Sequence, residues 1–572
     1  MTTTQLGLVA VAAILIAATV SATRSALATL RPQSRLTALA AAGTIAAVLA
    51  LRVALVTPSF IHANLHGAGL VDDILSFPAP AKYRATFGQF SFLALGAAAA
   101  LLGRRFEVIV ACNQVLGVGA LALMGVAARR WTGRTSALFL VLALGALHPA
   151  LLRVAASEDA HTLALLLAWT AVVALDKWAE SRRAADLTLA VAALILVIHT
   201  RQTFYGWIPI PFALAIARDR TVLHDKRFRV AAATAAAALA ARMLATVFNS
   251  SEQISFIMMP ILLSSWRSVG NMLRYHPLLD VARFGLFVPL GLCAGFVFCM
   301  CRRGPLRMLA LATLGFLMFT LCFSTSTPGV EFSFRTPVTS LGLVVAGIGI
   351  DAFFAWTRLR PSLVALACCL LALAPLATRG FAITRLRTTD FAEYAYVRAL
   401  VPLLPKKIAL VTIPWHEPMP SYRPPRDLLR AAGVTANYIE PSQLSLRHPP
   451  AYFIAGVACW AYALHERDDD KIHGPFQIPR AMLAAIFEHI IARDIDARHA
   501  APLTMRPECV RLLKGATLIA PPIEIMAVQD VPFATYGLDR IPIGIYRLRA
   551  DARLLPLSFG TRAQIPRTAA ND

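Results

Sequence analysis

Residues 127–178 decide the fold class. The run Ala127-Ala-Arg-Arg-Trp-Thr-Gly-Arg134 stands in front of an almost unbroken apolar block over 135–150, which contains His148-Pro149. The connector Leu151-Leu-Arg-Val-Ala-Ala-Ser-Glu-Asp-Ala-His161 follows, and a second apolar block runs to residue 178. Neither block shows the one-sided spacing of a surface helix; each is apolar all round and near the length that spans a bilayer. The arginines at 129–134 precede the pair and the acids join its two members, so the stretch reads as two antiparallel membrane helices with the basic run cytoplasmic and the acidic connector outside.

The same alternation extends along the chain. Apolar blocks lie near 5–23, 36–56, 106–128, 135–150, 161–178, 187–201, 203–217, 229–248, 283–301, 308–323, 337–356 and 362–378. Basic residues gather in every second connector, among them Arg24, Arg31 and Arg35, Lys177, Arg182 and Arg183, Arg302, Arg303 and Arg307, and Arg358 and Arg360. Twelve spans with these connectors inside place both termini outside the cytoplasm. The short apolar segment Phe90 to Leu102 fits an interfacial helix, since a further span there would invert everything downstream. The block 5–23 also admits a signal-peptide reading, although no basic segment precedes it.

Composition agrees. The 572 residues carry 55 Lys+Arg against 32 Asp+Glu, a net charge of +23, with 57% hydrophobic and 15% charged residues. Mean hydropathy is +0.62. Soluble domains sit nearer ~45–50% apolar and ~25% charged, so an ordinary soluble enzyme and a disordered chain are excluded. The positive charge belongs to membrane topology rather than to nucleic-acid binding. The fold class is mostly α: a polytopic bundle over residues 1–379 in the inner (plasma) membrane.

From residue 380 to 572 the character changes. Pro424-Pro425, Pro449-Pro450 and Pro521-Pro522 mark turns, and Asp468-Asp469-Asp470 forms an acidic run. Short β-rich runs at 408–413 and 541–546 flank a helical stretch at 480–492, which predicts a soluble α/β domain. Span parity puts it on the periplasmic or extracellular side. Cys459 and Cys509 are the only cysteines there, and two cysteines in an exported domain predict a disulfide. The sequence holds no Walker loop, dinucleotide fingerprint, HExxH or GxSxG motif.

Several polar residues need a reason. The first long outer loop contains His62, His66, Asp72 and Asp73 beside Ile74-Leu75. Adjacent carboxylates next to apolar residues gain proton affinity through desolvation and mutual repulsion, which suits a general base. A helix cap or a solvated loop accounts for the pair equally well. Ser157-Glu158-Asp159 fits an N-cap with acids in the first helical turn. Glu158 and Asp159 equally suit binding of a metal, a sugar hydroxyl or an amine, with Arg153 nearby for phosphate. Arg201 lies within an almost continuous apolar stretch, where charge tends to be functional, or its head reaches water in a tight turn. Arg335 at the start of a late span could grip phosphate bidentately, snorkel, or pair with Glu331.

In the order of these parts, residues 36 to about 378 resemble the GT-C glycosyltransferases, and within them the protein O-mannosyltransferase and aminoarabinose-transferase branch. The likeness rests on Asp72-Asp73 in the first outer loop, the interfacial helix after it, the 127–134 run, His148-Pro149 and Ser157-Glu-Asp159. It implies transfer of a sugar, with inversion, from a polyprenyl-phosphate donor to a lipid, glycan or protein acceptor on the outer face. Asp72 and Asp73 match the family's presumed base, and Asp73, nearer the apolar run, is the favoured one. Glu158 and Asp159 match its second-loop acids. Arg335 matches the arginine of its late Arg-Tyr pair, with Thr336 in place of the tyrosine. Arg153, Arg201, Lys82, Arg84 and His66 complete the expected binding set, and a divalent metal fits the acidic loops. The rival class is a transporter or lipid flippase, though the two-fold internal repeat of many transporters is not evident. A non-catalytic assembly or export subunit would carry the same pattern.

Overall fold

The computed structural model describes residues 35–55, 66–78, 89–249, 287–324, 331–358, 403–411, 433–439, 451–455, 507–520, 522–531 and 534–548, with 363, 366, 370 and 429. The expected spans 5–23 and, for the most part, 362–378, with the helical stretch 480–492, lie outside them.

Helices run in chain order as α1 (Arg35–Leu55), α2 (His66–Leu75), α3 (Gln89–Leu102), α4 (Phe106–Thr132), α5 (Thr135–Ala146), α6 (Pro149–Ala155), α7 (His161–Ser181) and α8 (Ala184–Ile198). After a 3-10 turn at Gln202–Trp207 come α9 (Pro209–Arg218), α10 (Lys226–Asn249), α11 (Phe287–Cys301), α12 (Pro305–Ser324) and α13 (Glu331–Thr357). Among the described residues, four helices are long and apolar enough to cross a membrane: α4, α7, α10 within Lys226–Ala245, and α13 from Thr336. α1, α3, α5, α8, α11 and α12 supply shorter apolar stretches.

The boundaries follow local chemistry. α4 ends where Gly133 turns left-handed at φ 74°, its N–H reaching Arg129 O; glycine adopts this conformation without a Cβ penalty. The apolar block 135–150 is not one helix. α5 stops at Ala146, and Pro149, which has no N–H to continue the ladder, opens α6 instead. The block 203–217 likewise divides into the 3-10 turn and α9, with Pro209 at the new start.

α7 is buried along most of its length, whereas α10 is buried on a narrow stripe only, so α7 is central and α10 peripheral. An aromatic seam runs through the core: Trp131 to Trp169, ring centroids 6.5 Å apart, Trp169 to Trp207 at 5.5 Å, and Trp207 to Phe316 at 6.0 Å. The indole N–H of Trp169 donates to Ser340 Oγ on α13 at 3.1 Å, so this ring is also paired for polarity. α11 and α13 cross in backbone contact at Gly295 and Gly349, where an added Cβ at either would strike the other helix's main chain.

Polar side chains of α4 and α7 fall into two layers. Near one end lie Asn113 and His161, near the other Arg130 and Asp176. At 1.5 Å per residue these pairs are separated by ~25 Å on α4 and ~22 Å on α7, close to a hydrocarbon thickness of ~30 Å. The second layer is an ionic latch. Buried Asp176 accepts from Arg130 Nε at 2.6 Å and Trp131 Nε1 at 3.0 Å, and Arg218 of α9 pairs with Glu180. Asp351 of α13 accepts from Ser136 and pairs with Arg134. Asp219, in the connector after α9, is held below the usual carboxylate range chiefly by hydrogen bonds from the Thr221 side chain and backbone, and further by Arg182.

By compactness the chain divides into two units, the first dominated by Met1–Thr388 and the second by Thr389–Asp470, Ala497–Val528 and Gly537–Asp572. Beyond the helices the described strands are β1 (Lys407–Val411), β2 (Thr435–Ile439) and β3 (Ala451–Ala455), then, after α14 (Pro507–Leu513), β4 (Thr517–Leu518), β5 (Ile523–Val531) and β6 (Ala534–Arg547). They form one mixed sheet ordered β2-β1-β3-β6-β4, with β5 also on β6. β1 pairs in parallel with β2 and β3, and β6 runs antiparallel to β3 and β4. The β-rich runs at 408–413 and 541–546 fall largely in β1 and β6. Cys509 is buried and is not among the free thiols of the described residues; Cys459 lies outside them.

Candidate active site

The first polar layer is built from single polar residues set into apolar helices. Asn113 of α4 is fully buried, and its amide nitrogen donates to the carbonyls of both Ser157 and Asp159 at 2.9 Å. Its oxygen accepts from Thr162 Oγ1 at 2.7 Å. One amide thereby fixes the connector carrying the acids and the first turn of α7. Ser157 Oγ donates to Val154 O and accepts from Asp159 N, a local turn. The residue before α7 is Ala160, with no side-chain cap. Ser157 is therefore not the N-cap of α7, and Glu158 and Asp159 precede its first turn. Their burial at 2% and 1% exposure shows that they are not a solvated face.

Asp159 is the centre of an ionic cluster. His161 Nδ1 lies 2.6 Å from its Oδ2, and Arg201 reaches both oxygens at 3.3 Å. Arg201 Nε also donates to His161 Nδ1 at 3.2 Å, and His161 Nε2 hydrogen-bonds Thr203 Oγ1 at 2.9 Å, so the imidazole is held on both sides. Arg201 is 6% exposed, which excludes a guanidinium held in water; Glu158 also lies within its electrostatic reach. The apolar sequence around Arg201 buries the cation, and the acid of the connector before α7 meets it there.

Beside this cluster sits Arg52 of α1, buried completely. Its Nε donates to Gln114 Oε1 at 3.0 Å, and its Nη groups to Ala146 O at 3.0 Å and Leu151 O at 3.2 Å. The cation thus caps the carbonyl end of α5, where the helix dipole is negative, and ties it to α6. Buried His148 and Arg153 belong to the same connector.

Asp73 lies on α2, buried to 9% exposure. α2 is seated on α3: the Cβ position of Gly96 lies 3.0 Å from Ile74 O, and Arg104 donates to Leu75 O at 3.3 Å. α3 is itself tied to the 199–203 segment, because Phe90 N donates to His199 O at 3.0 Å. The expected site residues Asp159 and Arg201 are therefore brought together with Glu158. Asp73 stands on the adjoining α2–α3 pair. Asp72, His66 and Arg335 are placed by backbone alone, on α2, at the start of α2 and in the first turns of α13; Lys82 and Arg84 lie outside the described residues. Among the described residues, no three His, Cys, Asp or Glu side chains gather as a metal site. Arg52, Asn113, Gln114, His161 and Thr203 were not expected. Arg52 and the Asn113-Gln114 pair carried a usable signal, polar groups inside otherwise apolar spans.

No family model and no curated protein matches the sequence. Among solved structures, ArnT from Cupriavidus metallidurans in the apo state is similar with a TM-score of 0.52 at 14% identity, over 90% of this chain and 99% of that one. The same protein bound to undecaprenyl phosphate gives 0.50 at 14% identity, over 72% of this chain and 92% of ArnT. The Archaeoglobus fulgidus oligosaccharyltransferase, complexed with zinc and sulfate, gives 0.44 at 15% identity, over 70% and 63%. The ArnT likeness shows the fold: the chain shares the helix-bundle architecture of that protein.

Proposed function

We propose that this protein is a membrane glycosyltransferase that takes a sugar from a polyprenyl-phosphate donor and attaches it, with inversion, to an acceptor outside the cytoplasm. The observation that carries the reading is a buried charge cluster, Asp159, Arg201, His161 and Glu158, gathered at one end of a bundle that shares its fold with ArnT. ArnT has been solved with undecaprenyl phosphate bound. A transporter reading has no comparable support from the fold.

In the proposed reaction a carboxylate of α2, Asp73 before Asp72, takes the acceptor proton as the acceptor atom bonds to the anomeric carbon. The bond from that carbon to the lipid phosphate breaks, and the polyprenyl phosphate leaves with the electron pair. Arg335 is assigned to the departing phosphate, where a guanidinium fork matches two oxygens. Lys82, Arg84, His66 and Arg153 complete the donor and acceptor contacts. Arg201 acts through Asp159, orienting the acidic connector. Residues 380–572 form a domain on the outer side, with Cys459 paired to Cys509, and the bundle lies in the inner membrane.

The test is turnover of a lipid-linked sugar by purified protein. Asp73→Asn should lower it by at least ~10²-fold, the scale of losing a general base, with membrane insertion unchanged. Full activity in the double Asp72→Asn, Asp73→Asn variant would remove α2 from the mechanism.

A further inference from the structure

α10 is apolar and mostly faces away from the bundle, with Met243 and Leu244 exposed. Its inward stripe runs Phe228, Ala231, Ala235, then Ala238 and Leu239, the i+3/i+4 spacing of a single contact face. The next position on that stripe is Arg242. A half-buried guanidinium therefore occupies the seam where the last core-facing turn of α10 meets exposed apolar side chains. It lies ~24 Å along the helix from Lys226, at the level of the candidate site rather than of the ionic latch. There it faces the Tyr205 hydroxyl and lies beside His199. Tyr205 Oη is buried beside this guanidinium.

Nothing in the transfer mechanism uses these three groups, yet their segment connects directly to it. His199 O holds the start of α3, and Thr203, two residues before Tyr205, holds His161. A cation fork, a phenol and an imidazole, flanked by the exposed apolar side chains of Met243 and Leu244 on one side and joined to the acidic cluster on the other, match a phosphate group on an acyl or prenyl chain. Its oxygens would meet Arg242 and Tyr205 while its chain stayed in the bilayer alongside α10.

We propose that Arg242, Tyr205 and His199 form a lipid-facing entry subsite for the phosphate of the polyprenyl-phosphate donor. The inference rests on the transferase reading above, and adds where the donor enters and which residues first hold it. Arg242 is a binding residue here, not one that touches the breaking bond.

The experiment measures binding of undecaprenyl phosphate to the full chain in nanodiscs of zwitterionic lipid, with inorganic phosphate and phosphatidylglycerol as parallel ligands. Arg242→Gln should weaken undecaprenyl phosphate binding at least tenfold and Tyr205→Phe about threefold, while Arg242→Lys restores part of the loss. With a lipid-linked sugar, Arg242→Gln should raise KM by a similar factor and leave kcat within about threefold. Thermal unfolding of each ligand-free variant separates lost binding from lost fold, and Arg242→Lys keeps the test open should Arg242→Gln unfold. Unchanged affinity in both Arg242 variants, with wild-type binding intact, overturns the subsite and leaves the transferase reading standing. Equal binding of phosphatidylglycerol at the same concentrations overturns the donor assignment in favour of a general lipid contact. Binding of inorganic phosphate alone overturns it in favour of a free anion site. Wild-type protein that binds no undecaprenyl phosphate overturns both readings.

Discussion

Arg201→Gln separates a buried structural partner from a ligand-facing cation. In the wild-type protein the Asp159 carboxylate has no exposed surface and Arg201 is 6% exposed, with contacts of 3.3 Å to each oxygen. Glutamine is shorter and neutral, so the variant removes the guanidinium from a buried carboxylate that keeps the His161 contact at 2.6 Å. Breaking a buried pair by removing one partner costs ~3–5 kcal/mol, because the remaining charge stays desolvated. His161 retains part of the compensation, which puts the expected loss near the lower end, about 3 kcal/mol. An exposed pair would lose only ~0–1 kcal/mol. Unfolding in graded SDS, followed by tryptophan fluorescence, measures the difference. Asp159→Asn completes a double-mutant cycle, in which neutralising both partners should cost less than the sum, with a coupling of ~2 kcal/mol or more. An Arg201→Gln protein within ~0.5 kcal/mol of wild type and a coupling near zero would refute the buried-pair account and return Arg201 to the ligand set.

Gly349→Ala should destabilise the bundle by ~1–3 kcal/mol or block its assembly, because the new methyl group meets the backbone of Gly295. Gly315→Ala has nothing within 4 Å of its Cβ position and serves as the matched control in the same unfolding assay; equal effects would refute the crossing. Asp219 has a depressed folded value, so its contribution is present above the ordinary 3.8 and fades as pH falls through the lower folded value. The stability gap between wild type and Asp219→Asn should therefore close on acidification, and a gap that widens would reverse the sign. Non-reducing mass spectrometry should recover one linked peptide pair containing Cys459 and Cys509, a crosslink worth up to ~4 kcal/mol on loop entropy; two free thiols would count against it.

The bundle was legible because burial in lipid demands long apolar blocks, and the polar connectors between them are unmistakable. α4 and α7 begin at residues 106 and 161, as the hydropathy pattern predicts. The break after Ala146 was less visible: the block stays apolar across Leu147 and His148, and only Pro149 marks it. The acids at 158 and 159 were visible as polar residues, but their pairing with Arg201 is a contact across 42 positions that no local pattern encodes. Asn113, Arg52 and Arg242 escaped for the opposite reason. Each is one polar residue averaged into an apolar window, and its meaning depends on which neighbouring helix it faces.

The amide of Asn113 sits seven residues inside α4 from Phe106, a depth of ~10 Å along the axis. The connector it holds is thus sunk below the helix end. At that depth the dielectric is low and bulk water is scarce, so charges act on one another more strongly, and in the proposed reaction a leaving phosphate would feel the protein's cations rather than solvent. Water is also the simplest competing nucleophile for an activated sugar. Under the proposed reading, a recessed acidic cluster favours transfer to an acceptor that reaches inward over wasteful hydrolysis of the donor.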